Sequence, residues 1–207
     1  MSVRTIVFDF GNVIAFFSHK KAAQQLARFA RRPVEVDKIV HFLFYTDLEP
    51  MLEVGHHSPA ELLRLVRKEF DLGGSDEELA HAFGDMFTAN EPVCRLVPEL
   101  QGRYRLALLS NTNDLHYRLF RRQFATTLDR FDYLFTSHEV RLRKPDPELF
   151  RYVNKRLGGA PGEFLFIDDL PGNIDAARAH GWQGVVYHPD VDLRQQLSLA
   201  GVTFAAG

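Results

Sequence analysis

A chain of 207 residues holds one sizeable core, or a core carrying a smaller inserted unit, but not two full-sized independent domains. With 25 Lys and Arg against 27 Asp and Glu, the net charge of −2 offers no broad cationic surface to nucleic acid or an anionic membrane; 45% hydrophobic and 25% charged residues exclude a disordered or fibrous chain. The single cysteine, Cys94, excludes an intrachain disulfide framework and a cysteine-rich zinc site; its default reading is a small buried apolar residue.

The first apolar run, Arg4 to Phe8, leads into Asp9-Phe10-Gly11-Asn12-Val13. It is short, interrupted by Asp9 and without a small-residue cleavage site, so no signal peptide is expected. Nor does the chain contain the roughly 18 consecutive apolar residues of a membrane span. A cytoplasmic location is the expectation.

Residues 15–90 then show helical periodicity with no convincing strand. Candidate helices run from Lys20 to Arg31, Val36 to Tyr45, Pro59 to Phe70 and Asp76 to Phe87, with Ser58 and Ser75 as N-caps of the last two. Further apolar runs follow at Tyr104 to Leu109, Tyr133 to Phe135, Phe164 to Ile167 and Gly184 to Tyr187. Near-continuous apolar runs of this length fit strands buried on both faces of a parallel sheet. Asp146-Pro147-Glu148 reads as an N-cap, a first-turn proline and a first-turn acid. The pattern predicts an α/β fold, a doubly wound Rossmann-like parallel sheet built from 1–14 and 91–207, with 15–90 inserted as an α-helical cap.

In such sheets ligands bind outside the carboxyl ends of the strands. The first strand ends in Asp9, the second in Ser110-Asn111-Thr112, the fourth in Asp168-Asp169, and Arg143-Lys144-Pro145 precedes the helix begun at Asp146. Three carboxylates, a lysine and a hydroxyl on one rim are costly to assemble unless a divalent cation and a bound anion balance them. Each has a plainer alternative: turn former or helix cap for the aspartates, solvated side chain for Lys144, turn residues for Ser110 and Asn111. Asn173 is either a support for this loop or a helix-surface amide, and Phe16 and Phe17 are packing residues or pocket lining. The nine histidines include no His-x-His pair of the kind a transition-metal site offers.

The motifs Asp-Phe-Gly-Asn-Val-Ile, Ser-Asn-Thr-Asn, Arg-Lys-Pro-Asp and Asp-Asp-Leu-Pro-Gly-Asn, in this order at strand ends, resemble those of the haloacid dehalogenase-like superfamily. Their wording is similar to bacterial α-D-glucose-1-phosphate phosphatases and to the phosphatase domain of soluble epoxide hydrolases. The resemblance implies a Mg2+-dependent phosphatase acting on a small phosphorylated metabolite. It implies Asp9 as nucleophile, with Asp9, the Gly11 carbonyl and Asp169 holding Mg2+ and Asp168 acting through water or by orienting the site. It further implies that Ser110 and the Asn111 N–H hold phosphate oxygens and that Lys144 neutralises charge.

The family pattern breaks at Gly11, where phosphatases of the superfamily carry a second aspartate as general acid and base. A good leaving group, as in a sugar-1-phosphate, would lessen the need for a proton; otherwise a cap residue among Glu49, Glu53, His56 and His57 would supply it. Each of those four reads by default as a solvated surface residue. Rival readings are a metal-independent 2-haloacid dehalogenase, disfavoured by Asp168 and Asp169, a phosphate-binding protein without turnover, favoured only by Gly11, and a phosphomutase, which Gly11 also disfavours.

Overall fold

The computed structural model describes residues 2–204. Strand β1, Thr5–Phe8, is buried along its whole length. After a tight turn come β2, Ala15–Phe17, and helices α1, His19–Ala27, α2, Val36–Phe44, α3, Leu48–Glu53, α4, Pro59–Phe70, and α5, Asp76–Gly84. Strand β3, Phe87–Ala89, returns the chain to α6, Glu91–Leu100, and β4, Arg105–Ser110. Helices α7, Asp114–Gln123, and α8, Ala125–Leu128, precede β5, Tyr133–Thr136, and α9, Ser137–Val140. The remainder is α10, Pro147–Leu157, β6, Phe164–Asp168, α11, Pro171–Ala179, β7, Gln183–Val186, and α12, Leu193–Leu199.

Five strands form one parallel sheet in the order β5-β4-β1-β6-β7. Alternate residues feed two apolar layers. Ile6, Phe8, Leu106, Leu108, Leu165 and Ile167 point to one side; Val7, Ala107, Leu109, Phe164 and Phe166 join Phe150, Ile174 and Trp182 on the other. Burial on both faces explains why these strands read as continuous apolar runs. The chain steps from β1 outward through β4 and β5, then crosses back to β6 and β7. The carboxyl ends of β1, β4 and β6 therefore flank the switch in strand order, where open α/β sheets leave a crevice.

All five expected sheet strands are present, and Ser58, Ser75 and Asp146 cap their helices through the N–H groups of Glu61, Glu78 and Glu148. Several expectations need correction. Residues 15–90 do contain strand: β2 and β3 form an antiparallel ribbon, pairing Ala15 with Ala89 and Phe17 with Phe87. Two three-residue strands so far apart in sequence leave no readable period. The helix expected to reach Phe87 accordingly ends at Gly84. The first helix ends at Ala27 rather than Arg31, because Ala30 bridges to Leu72 and the Phe29 carbonyl accepts from the Gly73 N–H. Helix α3 was hidden by Pro50, which reads as a breaker but lies in the first turn, where its missing N–H has no partner to lose. Cys94 is half-buried rather than buried, with Sγ 3.4 Å from the Ile14 carbonyl.

Helix α5 packs on α7, and α3 packs on α4 and α9. The inserted helices are thus laid beside the carboxyl ends of the sheet. No helix among the described residues is long and apolar enough to cross a membrane.

Candidate active site

The Asp9 N–H donates to the Ile167 carbonyl at 2.8 Å, carrying the ladder one residue past β1 and fixing Asp9 beside β6. Its Oδ1 accepts from the Phe10 N–H at 2.6 Å and lies 2.7 Å from Lys144 Nζ. The chain then reverses through Asn12 at φ 54°, a left-handed conformation that asparagine tolerates better than most side chains. From that turn Asn12 Nδ2 donates to Asp169 Oδ2 at 2.9 Å.

Lys144 is buried, and its Nζ also lies 2.7 Å from Asp168 Oδ2. Asp168 is fully enclosed: Oδ1 accepts from the Leu170 N–H at 2.8 Å, and Asn173 Nδ2 reaches both oxygens at 3.0 Å. Asn173 is therefore a buried support of this loop, not a surface amide. Asp9, Asp168 and Asp169 each present an oxygen within 4.8 Å of the others. Asp168 is already saturated by its neighbours, whereas Asp9 and Asp169 keep free acceptor capacity.

Electrostatics follow from this packing. Burial, reinforced by Asp168 and Asp169 and opposed by Lys144, pushes Asp9 up to about 7. Asp169 is raised, chiefly by burial, against the pull of its Asn12 hydrogen bond. Burial acts to lower Lys144, but Asp9 and Asp168 outweigh it and hold the ammonium charged. Three carboxylates against one ammonium leave two negative charges in excess. An all-oxygen donor set with that excess is what a hard divalent cation such as magnesium prefers.

Ser110 is buried at the end of β4, its hydroxyl engaged only by a 3.4 Å contact to the Asn111 carbonyl. The Asn111 side chain holds the Lys144 backbone: its Nδ2 donates to the Lys144 carbonyl at 3.0 Å and its Oδ1 accepts from the Lys144 N–H at 2.8 Å. Ser137 Oγ pins the same loop, accepting from the Thr112 N–H and donating to the Thr112 carbonyl, both at 2.9 Å.

These groups open into a cavity of about 280 Å³. Asp9, Gly11, Ser110, Asn111, Lys144 and Asp169 line its sheet side; Phe17, His19, Glu49 and Glu53 line it from the insertion. Asp168 lies behind them, fully enclosed. The default reading of Glu49 and Glu53 as solvated is overturned. Glu53 is buried, 2.9 Å from Arg143, and raised by burial against Arg143 and Lys144. Glu49 is half-buried and pushed up to about 8 by burial and by Glu53, against Arg143. His56 and His57 lie outside the cavity, as does Phe16. Phe17 is both packing and lining, and its ring overlies Gly11. A larger cavity, about 1210 Å³ between α1, α5 and α7, contains none of the strand-end residues.

The family described as haloacid dehalogenase-like hydrolase matches residues 3–181. This chain belongs to that family.

Among relatives of this haloacid dehalogenase-like hydrolase, a D-ribitol-5-phosphate phosphatase of Bacteroides thetaiotaomicron is 30% identical over 209 residues, covering 95% of this chain and 98% of the relative. A sesquiterpene phosphatase of Aspergillus oryzae is 31% identical over 140 residues, covering 64% and 68%. A solved enzyme of the family from B. thetaiotaomicron, in complex with magnesium and inorganic phosphate, superimposes with a TM-score of 0.81 at 22% identity over 94% of this chain and 99% of the other. An L-2-haloacid dehalogenase of Xanthobacter autotrophicus shares the fold at a TM-score of 0.64 and 19% identity, covering 95% and 83%.

Several partners in the site of this hydrolase were not legible in its sequence. The Asn12–Asp169 bond, the two-sided grip of Asn111 on Lys144 and the Arg143–Glu53 ion pair all join distant segments. So does the buried His116, which lines the cavity and is held neutral by burial, its pKa lowered to about 3. His116 carried no signal, whereas Arg143 was marked as the neighbour of Lys144 and Glu53 as a possible proton donor.

Proposed function

We propose that this protein is a magnesium-dependent phosphatase that hydrolyses a small phosphomonoester of a sugar or polyol through an aspartyl-phosphate on Asp9. The observation that carries the reading is the enclosure of Asp9 and Lys144, 2.7 Å apart, within a three-carboxylate cluster carrying two excess negative charges. Asp9, the Gly11 carbonyl and Asp169 would hold the cation, with Asp168 orienting Lys144 and the loop. When bound, magnesium supplies charge neutralisation at the nucleophile and a phosphate oxygen. A carboxylate oxygen of Asp9 attacks phosphorus, the ester P–O bond breaks, and water then cleaves the acyl-phosphate to release inorganic phosphate. Ser110 and the Asn111 N–H hold phosphate oxygens, and Lys144 balances charge on the nucleophile and the transferring group.

Phosphatase activity in the full-length relative supports the reaction class, and a cavity of about 280 Å³ favours a small substrate. The helical segment 15–90 acts as a cap, supplying Phe17, His19, Glu49 and Glu53 as the groups that meet the part of the substrate beyond phosphate. Gly11 keeps a sugar-1-phosphate, with its better leaving group, among the substrates.

The test is phosphate release from sugar-1-phosphates, polyol phosphates and p-nitrophenyl phosphate, with magnesium or chelator, for wild type and Asp9→Asn. Magnesium-dependent release lost in Asp9→Asn supports the reading. Chloride release from 2-haloacids in chelator would replace it with dehalogenation, and binding of phosphate without turnover would replace it with a binding protein.

A further inference from the structure

Expelling an alkoxide from phosphorus requires a proton at the departing oxygen, and Gly11 has none to give. Nor is there room for an acid there. A Cβ at residue 11 would sit 3.1 Å from Phe17 Cε1 and 3.4 Å from Cδ1, so the aromatic ring occupies the space an aspartate would enter. The donor must come from another element.

Apart from the aspartates, six ionisable side chains line the cavity: His19, Glu49, Glu53, His116, Arg143 and Lys144. Lys144 is bound between Asp9 and Asp168. Arg143 keeps its charge and is no donor, and it pairs with Glu53 at 2.9 Å, tying that carboxyl to the guanidinium. His116 is buried and neutral down to about pH 3, and His19, stacked on Phe44 at 3.9 Å, is also shifted by burial toward its neutral form. Glu49 remains. It projects from α3, one turn before Glu53, and among the described residues no hydrogen bond or ion pair holds its carboxyl.

Resting on the phosphatase reading, we propose that Glu49 is the general acid of this hydrolase, protonating the ester oxygen as it leaves phosphorus. As the Asp9 oxygen–phosphorus bond forms and the ester P–O bond breaks, the Glu49 proton passes to the departing oxygen. Water then cleaves the aspartyl-phosphate, and the Glu49 carboxylate regains a proton from solvent. Phosphate leaves Asp9, and the acid is restored for the next turnover.

Burial and Glu53 keep Glu49 protonated up to about pH 8. The charges acting on it are Glu53 from its own helix and Arg143 from the loop before α10; none on α2, α4 or α9, the helices packed on α3, adds to them. A donor must carry its proton, so the help Glu49 gives to a substrate that needs one is present below about 8 and lost above it.

The test compares wild type and Glu49→Gln on two substrates across pH: p-nitrophenyl phosphate, whose phenolate leaves without a proton, and a polyol phosphate, whose alkoxide does not. Glu49→Gln is expected to lose far less turnover on p-nitrophenyl phosphate than on the polyol phosphate. It should lose about 10²- to 10⁴-fold in kcat on the polyol phosphate, and its alkaline limb near pH 8 should disappear. Retained p-nitrophenyl phosphate turnover also shows that the variant is folded. Equal loss on both substrates, no loss on either, or survival of the alkaline limb would overturn the assignment and leave the phosphatase reading standing. Absence of phosphate release from the wild type on every substrate would overturn both.

Discussion

The side-chain amide of Asn111 grips the backbone of Lys144 from both sides, accepting from its N–H at 2.8 Å and donating to its carbonyl at 3.0 Å. The residue at the end of β4 thus sets the height at which Nζ meets Asp9 and Asp168. Asn111→Ala keeps the phosphate-facing N–H but releases Lys144. We expect kcat to fall about 10- to 100-fold with a much smaller change in KM, measured by steady-state phosphate release.

Lys144 is the one ammonium that opposes three clustered carboxylates. Lys144→Ala leaves Asp9 and Asp168 buried without their partner, which should destabilise the fold by about 3–5 kcal/mol near neutral pH. Urea unfolding measures the loss. Millimolar magnesium should recover part of it if the carboxylates hold the cation.

Replacing the nucleophile should separate chemistry from folding. Asp9→Asn retains the shape of the side chain and an oxygen able to accept from the Phe10 N–H, but removes the attacking charge. Phosphate release should drop by at least about 10³-fold while the unfolding midpoint moves little.

Gly11 and Phe17 form a steric pair. Gly11→Asp alone should destabilise by about 1–3 kcal/mol through overpacking against the ring and gain no activity. Combined with Phe17→Ala, the same substitution should lose less stability than the two single changes added together. A double-mutant cycle by urea unfolding reads that coupling.

His116 makes folding sensitive to acid. Its pKa is lowered from 6.5 to about 3 by burial, so between those values the unfolded chain binds a proton that the folded chain refuses. Stability conferred by the neutral ring is fully present above 6.5 and is lost as pH falls, at about 1.4 kcal/mol per unit from this one group. The slope should be absent from the corresponding curve for His116→Phe, compared by denaturant unfolding from pH 7 to 5.

The sheet was legible because its strands are buried on both faces, and an apolar run such as Phe164 to Ile167 has few other uses. The strand-end residues were legible because polar groups are conspicuous where such runs stop. His116 was not, and Glu49 and Glu53 stood only among four possible donors whose default reading was solvated. Their significance is a matter of burial and of neighbours on other segments, and a glutamate in a short helix carries no mark of which way it faces. Asn12 stands in the first motif, but its bond to Asp169 spans most of the chain. Phe17 was left between packing and lining, and it serves as both.

The β2–β3 ribbon places Ala15 and Ala89 side by side, so the insertion leaves the sheet and rejoins it at neighbouring points. To the sheet, everything between them is a detour whose two ends are already stitched together. Lengthening, shortening or exchanging that detour adds little to the entropy of closing it, since closure varies only with the logarithm of loop length. The strand-end chemistry and the groups that meet the rest of the substrate are therefore separately editable. One sheet can keep its nucleophile, lysine and acids while the helices above it are rewritten for a different phosphate ester.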